Sequence, residues 1–265
     1  MSKLAIKHEG PVSEAELPAR ARMVLLLSVG ITFLLYMVPH GEKIAYPLLL
    51  ISTLAHELGH GIAAMLAGGH FDRFVMNWDG SGMASWSSSG MGGLGRAFVA
   101  AGGLVGPAVV AAIGFALARK PRRARIALGL GGVALVLAEV LVVRNGFGLV
   151  FVAVFAAICL ALAAWANETV AQASLVFLCV QLALSVYSRG DYLFVKSAGF
   201  SANGKELASD VEHMSQALGL PYWFWGGLCA AFSLAVLVIG GWVFLRPARK
   251  SATTSLRPGA HSKLP

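Results

Sequence analysis

The sequence predicts an all-α polytopic membrane protein, a bundle of six to seven transmembrane helices with one small β-hairpin after the second. Three observations lead there. Hydrophobic residues make up 57% of the 265 and charged ones 13%, about half the usual charged share of roughly 25%, so too few polar side chains exist to cover a water-facing surface. Seven apolar stretches approach the roughly 20 residues that a helix needs to cross the hydrocarbon layer. The basic residues, although the net charge is +8, cluster at the ends of those stretches, where Lys and Arg meet anionic lipid headgroups. No aromatic-interleaved basic face is present, which excludes nucleic acid as a partner. No Gly-rich loop with a Lys is present either, which excludes nucleotide.

Taken in order, residues 1–22 read as a polar N-terminal tail. The apolar stretches are Met23–Pro39, Ala45–Leu66, Ala97–Ala118, Ile126–Val143, Phe147–Ala166, Val170–Tyr187 and Tyr222–Leu245. They form one membrane-embedded domain, 23–245, and 246–265 is a basic flexible tail. The two strongest basic groups are Arg119–Arg125 and the C-terminal tail. Four spans separate them, so both fit on one side of the membrane, cytoplasmic by the positive-inside rule. That leaves Arg20 and Arg22 on the other side, and the orientation of the N-terminus stays open. Cys159, Cys179 and Cys229 lie inside apolar stretches and read as small buried hydrophobes.

Two linkers carry structure of their own. Residues 71–90 are rich in Gly and Ser, with Trp78 and Trp86 on either side of Asp79–Gly82, the pattern of a hairpin with a Gly-rich turn. In 188–221, Ser209 followed by Glu212 is a capping box, and Gly219 with Pro221 is a stop signal. A short interfacial helix from about Asp210 to Leu218 is expected.

The chemistry sits in the second apolar stretch, at His56-Glu57-Leu58-Gly59-His60. On a helix, His56 and His60 are one turn apart on one face, so both imidazoles can bind one metal ion, and Glu57 beside them can hold water. The spacing is that of zinc peptidases, with one Zn²⁺ as cofactor and Glu57 as catalytic base. With 7 His and 9 Glu in the chain, random placement yields about 0.006 such motifs. His56 is also the twelfth residue of its stretch, and ionisable groups at that depth are costly to keep without a function.

With this motif the chain resembles the site-2 proteases, intramembrane zinc metalloproteases, and in particular a compact bacterial branch of that family. The hairpin of 71–90, Arg96, the stretch Ala101-Gly102-Gly103-Leu104-Val105-Gly106-Pro107, Asp191-Tyr192-Leu193 and Ser209-Asp210-Val211-Glu212 carry the rest of the likeness. It implies a metalloendopeptidase in a multi-pass membrane location, the inner membrane if the source is bacterial. The implied partners are a membrane-embedded polypeptide substrate and the lipid bilayer. In that family an Asp in an Asn-Pro-Asp-Gly-like segment supplies the third zinc ligand, and this chain has no such tetrapeptide.

Three acids compete for the role. Asp191 stands first, because it follows a span directly, although beside Arg189 it reads equally as a solvated loop acid. Glu139 is second, as an acid within an apolar stretch or the partner of Arg144. Asp210 is third, since a helix start explains an acid there without metal. Asn145, between two spans, is a candidate for substrate binding or an ordinary turn residue. The alternative to a peptidase is a catalytically inactive scaffold, chaperone or metal-handling protein on the same fold, for which the missing tetrapeptide argues.

Overall fold

The computed structural model describes residues 16–188, 193–200, 204 and 206–246. The order of elements is α1 (Glu16–Met37), α2 (Gly41–Leu66), β1 (His70–Met76), β2 (Gly82–Ser87), α3 (Gly93–Ala118), α4 (Pro121–Leu141), α5 (Gly146–Trp165), α6 (Glu168–Ser188), β3 (Ser197–Phe200), β4 (Glu206–Ala208), α7 (Asp210–Leu218) and α8 (Tyr222–Leu245). Six of these helices (α2 to α6 and α8) are long and apolar enough to cross a membrane. The chain is therefore a multi-pass integral membrane protein. In α1 the apolar part is only Arg22–Leu35. The helix itself begins at Glu16, inside the stretch read as a polar tail, because Glu, Ala, Arg and Leu are strong helix formers and Pro18 falls in the first turn, where its missing N–H costs nothing.

Helix α3 is the centre of the bundle and packs against α2, α6, α7 and α8. Its contact with α2 is a backbone contact. A Cβ on Gly59 would lie 2.3 Å from the Gly102 carbonyl oxygen, and one on Gly102 would lie 2.6 Å from that of Gly59. Only a pair of glycines lets two helices approach so closely, the small-residue logic of packing in lipid. On the outside, α4 and α5 expose Leu130, Leu137, Val140, Val150 and Ile158, an apolar belt that only lipid can cover.

At one end of the bundle the basic residues come together. Arg119 donates to the Arg246 carbonyl (3.1 Å), and Arg125 caps the end of α5 through the carbonyls of Ala163 (2.5 Å) and Ala164 (2.6 Å), cations placed at the negative ends of helices.

The first hairpin folds as its sequence predicts. β1 and β2 pair antiparallel, Phe74 opposite Ala84 and Met76 opposite Gly82. The turn closes through Asn77 N–H to the Ser81 carbonyl (2.8 Å), with Gly80 at positive φ. The Asp79 carboxyl is held below its usual range, first by the Ser81 hydroxyl and then by the Ser81 N–H. The turn is tied to α2, since Thr53 donates to the Gly80 carbonyl (2.7 Å) and the Tyr46 hydroxyl donates to that of Trp78. Against the other edge of β1 lies the α4–α5 connection: Phe74 N–H reaches the Val142 carbonyl (2.7 Å) and Arg144 N–H the Phe74 carbonyl (3.0 Å). A core of Leu50, Leu54, Phe74, Met76, Val142, Val143 and Val152 fills the space between hairpin, α2 and α5. A second hairpin, β3–β4, precedes α7. The sequence pattern does not reveal it, because its strands are only four and three residues long.

Candidate metal centre

The site is built from two elements about 150 positions apart. Helix α2 presents His56 and His60 one turn apart, with their Nε2 atoms 3.1 Å from each other. The Val99 carbonyl of α3 accepts from His60 Nδ1 (2.8 Å). A carbonyl can only accept, so Nδ1 carries a proton and Nε2 is the atom that a metal ion would take. Helix α7 brings Asp210, its first residue. One carboxylate oxygen lies 3.2 Å from His56 Nε2 and the other 3.4 Å from His60 Nε2.

Local sequence explains why Asp210 arrives there. Ser209 caps the helix, its hydroxyl accepting from Glu212 N–H (3.3 Å) and donating to the Val195 carbonyl (2.5 Å). Val211 and Met214, buried on one face of α7, then pack with Ala97, Ala100 and Leu104 of α3. That face fixes the depth and rotation of the helix start. Burial by itself would raise the Asp210 carboxyl; the charge of His60 and hydrogen bonds with both imidazoles outweigh it and hold the group well below the usual carboxylate range.

The two Nε2 atoms are 3.1 Å apart and each has an Asp210 oxygen within 3.4 Å, and one donor atom from each of the three residues lies within 4.8 Å of the others, so the group can close on one small cation. Tetrahedral ligation with bonds of about 2.0 Å requires ligand–ligand edges of about 3.3 Å. The donor set, two neutral imidazoles and a carboxylate, suits zinc. Among the described residues this is the cluster of His, Cys, Asp or Glu able to hold a metal.

Glu57 is buried (8% exposed) on the same helix. Its carboxylate accepts from the Ala84 N–H of β2 at 2.6 Å. Strand β2 can come this close because residue 82 is glycine: a Cβ there would stand 2.9 Å from Glu57 Cγ and 2.7 Å from Thr53 Cγ2.

The described residues bear on two of the three candidate acids. Asp191, the first choice, lies outside the described residues. Glu139 sits near the end of α4 and does not belong to the cluster. Nor does it pair with Arg144, whose guanidinium goes to the carbonyls of Val140 (3.3 Å), Val143 (2.8 Å) and Leu141 and so caps α4. Asp210, ranked last, is the acid that meets both histidines. Asn145 binds the end of β1 on both sides, accepting from Met76 N–H (3.2 Å) and donating to the Met76 carbonyl (2.6 Å).

The model of the Peptidase M50B-like family matches residues 26–240. The chain belongs to that family. Neither a curated protein nor a solved structure gives a match. The M50B-like match runs from α1 to α8 and so includes every residue of the site. It supports a membrane metallopeptidase type of function and agrees with the site-2 protease resemblance of the motif.

Proposed function

We propose that this M50B-like protein is an intramembrane zinc endopeptidase that hydrolyses peptide bonds of membrane-spanning or membrane-proximal polypeptides. The observation that carries the reading is the convergence of His56, His60 and Asp210 within 3.4 Å of one another, next to a buried Glu57. His56, His60 and Asp210 would hold one Zn²⁺, which would supply Lewis acidity toward water and the scissile carbonyl.

The chain's own residues supply the rest. Val99 fixes the tautomer of His60. Glu57 takes the proton of the attacking water and passes it to the leaving amine, the acid–base shuttle expected of a carboxylate beside the metal. Ala84 N–H orients that carboxylate.

A substrate helix hides its carbonyls in its own hydrogen bonds and must unwind before attack. Strand β2 offers an edge for the unwound segment. Phe74 turns its N–H and carbonyl away from β2, so Ala84, opposite it, turns its own away from β1, and Gly82 and Trp86 follow two residues on either side. Val142–Asn145 covers the far edge of β1, leaving β2 as the edge for strand addition, which binds through backbone groups with little regard for side chains. Asn145, bonded to Met76, positions the sheet in this scheme and has no direct role at the substrate.

The inactive-scaffold reading rests on the lack of a third ligand in the expected tetrapeptide, and Asp210 supplies an acid without it. The test is cleavage of a single-span substrate in proteoliposomes by zinc-loaded wild type and Glu57→Gln. The variant should keep its zinc and lose about 100- to 10,000-fold in rate. Cleavage at the wild-type rate would overturn the role of Glu57, and a zinc-loaded wild type that cleaves no membrane polypeptide would favour the scaffold.

A further inference from the structure

A small cavity lies against the metal centre. It is lined by Ser52 and His56 of α2, Gly103, Leu104 and Pro107 of α3, Ser185 and Val186 of α6, and Leu193, and has a volume of about 30 Å³. Two polar groups at its wall stand out. Ser52 is buried (8% exposed), yet among the described residues its hydroxyl has no hydrogen-bond partner. It lies one helical turn before His56, on the same face. His56 uses Nε2 toward His60 and Asp210, and among the described residues its Nδ1 has no partner, whereas the corresponding atom of His60 is held by Val99.

A hydroxyl and a ring nitrogen that line one cavity, with no protein partner among the described residues, depend on what the cavity holds for their hydrogen bonds. Direct contact is not made. A cavity of this size admits one or two water molecules, at about 10–15 Å³ each, and water needs two to four polar partners. Ser52 Oγ and His56 Nδ1 supply two. The rest of the wall is largely apolar, so a water there is steered toward them.

We infer that Ser52 is a positioning residue for the metal centre: His56 Nδ1–H donates to water held in this cavity and that water donates to Ser52 Oγ, fixing the imidazole as Val99 fixes His60. The inference rests on the proposed zinc site. Partners of this kind orient the ring and raise its basicity, and their loss weakens metal binding by about 10- to 100-fold.

The experiment measures the rate at which zinc passes from the detergent-solubilised, full-length protein to a chelator, for wild type, Ser52→Ala, Ser52→Thr and His56→Ala, together with the thermal midpoint of each metal-free protein. Ser52→Ala should release zinc about tenfold faster or more at an unchanged metal-free midpoint, and Ser52→Thr, which keeps the hydroxyl, should restore slow release. Equal release from wild type and Ser52→Ala overturns the inference, as does faster release that Ser52→Thr fails to correct. If wild type takes up no zinc, or His56→Ala retains it as tightly, the metal site itself falls, an outcome separate from failure at Ser52.

Discussion

Replacing Gly103 by Ala adds one methyl group at the point where α3 meets the metal centre. Its Cβ would stand 2.2 Å from His60 Nε2 and 2.3 Å from Cε1. Ordinary contact begins near 3.4 Å, so ring and methyl must separate by about 1.2 Å. Zinc–ligand bonds tolerate only about 0.2 Å, so the imidazole cannot remain a ligand at its present position. Moving α3 away instead removes the Val99 carbonyl from His60 Nδ1 and opens the Gly59–Gly102 contact. Either response takes one of three ligands off the shared point. Gly103→Ala should lower zinc affinity by about 100-fold or more, beyond the range of a lost supporting hydrogen bond, and cost about 1–3 kcal/mol in stability from overpacking. Gly131 of α4, with nothing within 4 Å of its Cβ position, is the control. There Ala should leave zinc untouched and add about 0.5–1 kcal/mol through helix propensity. The assay is equilibrium competition for zinc against a chelator, with metal content of the purified proteins. A Gly103→Ala protein that binds zinc as tightly as wild type would refute the placement of His60 against α3.

The other predictions concern the remaining parts of the site. Asp210→Asn should weaken zinc binding at least as much as loss of a supporting hydrogen bond, about 10- to 100-fold, measured by the same competition; binding as tight as wild type would contradict a ligand role for Asp210. Ser209→Ala removes the cap of α7 and the donor to Val195, and should cost about 1 kcal/mol together with some zinc affinity, both restored by Ser209→Thr. Trp86→Pro, compared with Trp86→Ala, removes only an outward N–H of β2; it should raise KM for a membrane polypeptide several-fold more than Trp86→Ala does while zinc content stays constant.

Much of the site is legible in the sequence because the signals are local. His56, Glu57 and His60 share one helical turn, so a spacing of four places both rings on one face whatever the rest of the chain does. The hairpin turn and the start of α7 are readable for the same reason: Gly80 and the pair Ser209/Glu212 act within three residues of themselves. The proposed third ligand, Asp210, is not legible, since an acid at the first position of a helix is explained equally well by the helix dipole. Its approach to the histidines depends on how α7 lies on α3. The available clue is the row Val211, Met214, Ala217 and Leu218, an apolar face on a short helix that needs a partner and points Asp210 toward it. Asp191 ranks higher in the sequence only because it follows a span, which says nothing about direction. The cover over the far edge of β1 by Val142–Asn145 is likewise hidden, because it joins residues about 70 positions apart through backbone groups that leave no side-chain pattern.

The arrangement of polar groups also bears on whether the fold is kept for catalysis or as a scaffold. Helix packing alone needs Gly59 and Gly102 and is indifferent to the identity of residue 57. Four ionisable side chains, His56, Glu57, His60 and Asp210, nevertheless stand in the membrane-embedded domain, where each must be compensated. For His56, His60 and Asp210 the compensation is mutual and suits a cation. For Glu57 it is not: its carboxylate accepts from Ala84 N–H of β2, the strand whose edge is proposed above to receive the substrate. A metal-handling scaffold gains nothing from a buried carboxylate at that edge. A peptidase needs one there, since the proton of water must be taken within reach of the scissile carbonyl. The position of Glu57 between metal ligands and strand edge, more than the histidine pair, is therefore the feature that separates hydrolysis from binding.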